Sequence, residues 1–255
     1  MDQRVTAEAT ASRSQAVGPP RVYYLNPLLA GPLADWAPCL DRARDLGFSH
    51  VLSAPLFAGP SLFLPTDFAR PHPALQSSGD AAGALAAFAQ ACRSRDLVPL
   101  LDLLPTRLAA QGVAEAHNDI FYAPPSGSGL DPRALGPESD AAVLRGEADA
   151  EAVGAFWYAQ AQSWRRAGIA GFRIALKGLP THQARALIAA LRKDKDALLL
   201  GWTPGLSREE RAGLIGTGID FVFASLPWWD FAADWFWRMK RATSSCSSFS
   251  DSSLA

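Results

Sequence analysis

LVPLLDLLPTR, residues 97–107, and AGIAGFRIALKGLP, residues 167–180, decide how this chain is read. Each holds a short run that is apolar at almost every position and broken by one charge, Asp102 in the first and Arg173 in the second. Strands apolar on both faces belong to parallel sheets covered on both sides. In barrels of such strands the working residues stand at the C-terminal strand ends, where these two charges fall.

Working outward, comparable runs occur at 22–25, 50–53, 197–200 and 221–226, giving six strands with those at 98–104 and 171–176. Helical signals lie between them. Trp36–Leu46 stops at Gly47, Asp80 starts an alanine-rich stretch to Arg95, Glu151–Ala167 stops at Gly168, and Thr181 caps a run to Lys193. Ser207 followed by Glu210 is a capping box. Strand and helix alternate six times, so the class is α/β, because parallel strands need crossover connections. A doubly wound sheet and a barrel both satisfy the order. The glycine-rich phosphate loop of a dinucleotide fold is missing after the first strand, where Leu25-Asn26-Pro27-Leu28 follows instead. The expected architecture is therefore an incomplete (β/α)8 TIM barrel of about six β-α units, two short of closure.

The expected organisation is a disordered leader at 1–20, the barrel at 21–237 with an irregular Pro/Gly-rich insertion at 123–149, and a disordered serine-rich tail at 238–255. The abrupt change to RATSSCSSFSDSSLA at 241–255 predicts a frameshift or premature end in a longer gene, with a genuine flexible tail as the alternative. The net charge is -1, from 24 Lys+Arg against 25 Asp+Glu, which argues against nucleic acid or an anionic membrane as partner. No apolar run reaches the roughly 18–20 residues that cross a bilayer, and the start of the chain lacks the apolar block of a secretory signal. Cys39, Cys92 and Cys246 give neither a disulfide framework nor metal-ligand spacing, and His50, His72, His117 and His182 are scattered. The expectation is a soluble cytoplasmic protein with no metal and no cofactor.

Four segments, in order, resemble the α-amylase family of glycoside hydrolases. LVPLLDLLPTR is similar to the family's third-strand motif, and GFRIA at 171–175 to its fourth. DLGFSHVLSAPLF at 45–57 with SLFLPTDFARPHPAL at 61–75 resembles the second strand and the loop after it. GIDFVFASLPWWDF at 218–231 is similar to a sixth-strand segment of bacterial maltose-1-phosphate maltosyltransferases and the amylase-like domains joined to them. The resemblance implies action on α-glucans, maltose-1-phosphate or maltooligosaccharides. It also implies roles for Asp102 and Arg173, with Phe63 standing where a sugar-stacking Tyr would be.

The departures bear on chemistry. The resemblance puts the nucleophilic Asp at the position of Ala175, and the acid/base Glu at the end of the fifth strand, where LLLGWTPGL carries Trp202. Thr106 and Arg107 replace the motif Asn and His. Retaining glycoside transfer needs two carboxyl groups about 5–5.5 Å apart. Ala175 has no nucleophilic atom and Trp202 no proton to give at a useful pKa. The sequence thus predicts no complete catalytic set, and substrate contacts limited to Phe63, Asp102, Arg173 and Trp202. An active enzyme with relocated carboxylates would draw on Asp102, Asp67 or Asp230.

Each feature also has a plainer reading. Asp102 and Arg173 can form a structural ion pair, and Lys177 is an ordinary surface lysine. Trp228-Trp229-Asp230 and Trp235-Phe236-Trp237 can be packing rather than a sugar platform. Two functions of different class follow: an amylase-like enzyme domain, and a non-catalytic module that binds α-glucan or docks on an active amylase-like partner domain.

Overall fold

The computed structural model describes residues 19–124 and 140–223. The leader before Pro19, most of the expected insertion, Trp228–Asp230, Trp235–Trp237, Cys246 and the serine-rich tail lie outside the described residues.

In chain order the elements are β1 (Val22–Leu25), α1 (Pro27–Ala30), α2 (Ala37–Asp45), β2 (His50–Ser53), β3 (Phe57–Ala58), β4 (Asp67–Pro71), α3 (Ala81–Arg93) and β5 (Val98–Leu103). There follow β6 (Arg107–Ala109), α4 (Val113–Ala116), β7 (Phe121–Tyr122), β8 (Ala141–Leu144), α5 (Ala150–Arg166), β9 (Gly171–Ala175), α6 (Thr181–Leu191), β10 (Leu198–Trp202), α7 (Arg208–Ala212) and β11 (Phe221–Phe223). The central sheet has six strands in the order β1-β2-β5-β9-β10-β11, and every pair in it is parallel. Spatial order follows chain order, which is the winding of a barrel and not of a doubly wound sheet. The fold is a half-barrel of the (β/α)8 type.

The sheet separates two apolar layers. Leu25, Val51, Leu101, Leu103, Phe172, Ile174 and Leu199 point outward into a large core shared with Leu40 of α2, Phe88 of α3, Trp157 and Trp164 of α5, and Leu187 of α6. Leu52, Leu100 and Leu200 form a separate cluster on the inner face, with Val22, Leu198 and Phe223 against it. Both faces are apolar because both are covered, which is why the strands read as continuous apolar runs.

Helix starts follow local chemistry. Asp80 accepts from the Gly83 N–H at 2.8 Å and Asp149 from the Ala152 N–H at 2.7 Å. The Ser207/Glu210 box is complete in both directions. Thr181, expected as a cap, lies inside the first turn of α6; Pro180 takes the cap position and makes no side-chain cap bond. Proline is suited to a helix entrance because it has no N–H to leave unpaired.

Two connections carry structure of their own. β3 and β4 form a small antiparallel pair after β2. After β5, β6 and β7 flank β8 in a three-stranded antiparallel sheet, so the stretch expected to be irregular over 123–149 contains a strand at Ala141–Leu144. Gln183 of α6, fully buried, ties this unit down by donating to the carbonyls of Arg145 and Ala148, each at 2.9 Å.

The N-terminal rim shows a recurrent device. Gly47, Gly168 and Gly218 each stand three residues ahead of a strand (β2, β9 and β11) with φ of +80°, +103° and +97°. Each carbonyl accepts from an arginine of the neighbouring connection: Arg21 ahead of β1, Arg93 ahead of β5 and Arg192 ahead of β10. The space beside Gly47 is open, but at Gly218 and Gly168 the arginine passes over the glycine, so that a Cβ at Gly168 would meet Arg93 Nη1 at 2.6 Å. Glycine is needed there both for its backbone angle and for that space.

Candidate functional site

The site grows from strand register. Asp102 pairs with Arg173, and Arg173 with Leu200, placing these side chains at one level on the inner face. One step toward the C-terminal end, Ala175 stands beside Trp202 and Trp202 beside Phe223. Tyr24 belongs to the level below, beside Leu52.

Asp102 is 4% exposed, deep for a carboxylate. It is held by a two-point contact in which Arg173 Nε donates to Oδ1 at 2.9 Å and Arg173 Nη2 donates to Oδ2. Burial pushes its carboxyl above the ordinary value, while the hydrogen bonds and charge of Arg173 pull it back down. The guanidinium is also enclosed by rings. Its carbon lies 4.8 Å from the centroid of Trp202, 5.0 Å from Tyr24 and 6.0 Å from Phe223. Burial, and then the negative charge of Asp102, raise the Tyr24 hydroxyl above its usual pKa. The result is a neutral ion pair inside an aromatic box, with Tyr24 and Trp202 exposed at its margins.

Of the four expected contact residues, the structure brings together Asp102, Arg173 and Trp202. Phe63 lies in the β3–β4 connection, exposed, and makes no ring contact among the described residues. Trp202 is an integral strand residue, since β10 runs to it and not to Leu200; Thr203 locks the end by donating through both N and Oγ1 to the Phe223 carbonyl. Tyr24 and Phe223 are site residues that sequence reading missed. Their signal was faint: aromatic residues at alternate positions of short strands that read as core. Asp67 is taken up by Arg70 at 2.7 Å and by the Ala69 N–H at 2.7 Å. Lys177 is exposed and lies against Gly205.

Asp102 is the one carboxylate within the six strands of the central sheet. The four residues after each of β1, β2, β5, β9 and β10 contain no other. Among the described residues no group of three or more His, Cys, Asp and Glu is placed to hold a metal ion. No helix among them is long and apolar enough to cross a membrane. The arrangement offers ring faces for stacking and guanidinium N–H groups for hydrogen bonding.

The half-barrel superposes on part of the barrel of α-amylase-type enzymes of known structure. The α-amylase of Geobacillus thermoleovorans, solved with acarbose, superposes with a TM-score of 0.61 at 19% identity, over 81% of this chain and 52% of that one. The noncanonic maltogenic α-amylase of Thermotoga neapolitana gives 0.58 at 17% identity, over 80% of this chain and 48% of that one. The cyclic α-maltosyl-(1→6)-maltose hydrolase of Arthrobacter globiformis, ligand-free, gives 0.59 at 17% identity, over 76% and 46%. The chain thus spans about half the length of the structures it matches. No protein-family model and no curated protein matches the sequence.

Proposed function

We propose that this chain is an amylase-like domain of α-glucan metabolism that binds maltooligosaccharide without cleaving it. The observation that carries the reading is the single carboxylate, Asp102, bound at both oxygens to Arg173, with no second acid in the four residues after β1, β2, β5, β9 or β10. Retaining and inverting hydrolysis both need two carboxyl groups across the glycosidic bond. Stacking on an exposed ring needs neither, and Trp202 supplies one. The likeness of residues 218–231 to a maltosyltransferase segment adds maltose-1-phosphate to the candidate ligands, and a cytoplasmic setting fits such substrates.

Titrating maltooligosaccharides while following tryptophan emission tests the binding. A saturable change is expected in the native chain, and its loss, or a weakening of at least about fivefold, in Trp202→Ala, given about 1–3 kcal/mol for a stacked ring. A reducing-sugar assay on the same sample is expected to stay at background. Sugar release abolished by Asp102→Asn would overturn the non-catalytic reading.

A second reading, docking on an active amylase-like partner domain, is favoured by the sheet edges. Among the described residues β1 and β11 each pair with one strand only. Exposed Leu28 and Leu29 follow β1, and exposed Ile215 and Phe221 flank or form β11. Co-expression with such a partner is expected to co-purify the two chains; a monodisperse monomer indifferent to it would count against this reading.

A further inference from the structure

Behind the C-terminal end of β5, on the helix side, lies a pocket of about 230 Å³ of empty space including its open mouth. Phe57, Phe68, Leu108, Trp157 and Trp164 form its walls, and Asp102 is the one ionisable residue on its border. Trp157 is 2% exposed, and its Nε1 has no hydrogen-bond partner among the described residues. Its ring is fixed by edge contacts with Phe156 at 5.0 Å, Phe68 at 5.9 Å and Phe121 at 6.4 Å, so the indole cannot readily swing to find an acceptor. A buried donor left unmade costs more than an average made bond returns, and such groups are normally satisfied by protein or ordered water.

We propose that this pocket is a site for one small neutral hydrogen-bond acceptor, held by the Trp157 indole N–H and occupied by water in the free protein. The ligand class follows from the lining. The orphan group is a donor, so the guest must bring a lone pair. Its charge must be zero, because an ion of either sign would be desolvated among these apolar rings, and a cation would also face the N–H dipole. Its size is set by the closed part of the pocket, which takes about one water molecule. Purely apolar cavities stay dry; here the indole N–H supplies one of the two to four polar partners that a held water takes.

The chain has eight tryptophans, so a ¹H–¹⁵N spectrum shows up to that many indole signals, and Trp157→Phe removes the one in question. On that signal we expect a cross-peak to a water that tumbles with the protein, its sign in the rotating frame separating it from proton exchange. Leu108→Phe, which fills the pocket, is expected to erase the cross-peak and leave the indole signal. Should either variant fail to fold, a crystal structure of the native chain decides: density for an acceptor about 2.7–3.2 Å from Nε1 supports the site. A dry pocket overturns the proposal, as does one that takes xenon, which cannot accept the indole hydrogen bond, in preference to water.

Discussion

At Arg173 three attractions meet on one guanidinium: the paired carboxylate of Asp102, the face of Trp202 and the face of Tyr24. The pair's worth lies in its completeness, because a buried charge without its partner is costly while a well-packed apolar replacement of both is tolerated. Asp102→Ala is expected to lower stability by about 3–5 kcal/mol, read from the denaturant midpoint. Asp102→Leu combined with Arg173→Met should recover most of that loss; a double variant as unstable as the single would show that the ion pair itself, and not the stranded charge, is what matters. His50 gives a pH signature. Burial holds its imidazole below the ordinary value, and Ser49 Oγ sits 2.8 Å from its Nδ1. A depressed histidine favours the neutral ring in the folded state, so its contribution is complete above the unfolded pKa of about 6.5 and is lost as pH falls from there through the folded value. His72 is shifted the same way. Melting curves should therefore show stability declining below about pH 6.5, with a shallower decline in His50→Gln. Asp102 and Arg173 could be picked out in the sequence because charges are conspicuous in apolar strands. Tyr24 could not: it sits on β1, three strands from β9 in the sheet order, and only folding brings the two together.

Among the elements, Gly171 sets how closely β9 and β10 approach. A Cβ there would meet the Leu198 carbonyl oxygen at 2.1 Å and Leu198 Cβ at 2.8 Å, both anchored in the neighbouring strand. Gly171→Ala is expected to cost about 3 kcal/mol, the upper range for overpacking, and to perturb Arg173 two residues on; a loss below about 1 kcal/mol would mean the strands part easily. The long elements were legible because their boundaries carry chemistry, as at Asp80, Ser207, Gly47 and Gly168. The β3–β4 pair and the β6-β8-β7 sheet were not. Their strands are two to five residues long, too short for an alternation to stand out, and β8 returns to β6 from more than thirty positions along the chain. The missed end of β10 has the same origin. The apolar run at 197–200 stops ahead of Gly201, whereas Trp202 is carried into the sheet by neighbours on both sides.

Across the whole molecule, the two rims of the half-barrel are built differently. At the C-terminal rim, the connections after β2 and β5 are long and hold small sheets of their own, and the aromatic box opens there. At the N-terminal rim, the strands of the central sheet fall into neighbouring pairs, β1 with β2, β5 with β9 and β10 with β11, and each pair is bridged by an arginine bound to a glycine carbonyl. This pairing is invisible in a linear reading, since Arg93 and Gly168 are 75 positions apart. A protease must draw several residues of backbone into its cleft, and a connection whose carbonyl is gripped from the side resists being drawn. Digestion under native conditions should therefore nick the long connections of the C-terminal rim first and leave the turns at Gly47, Gly168 and Gly218 whole. In Arg93→Ala the turn at Gly168 should become an early cutting site, releasing fragments that divide the chain between α5 and β9.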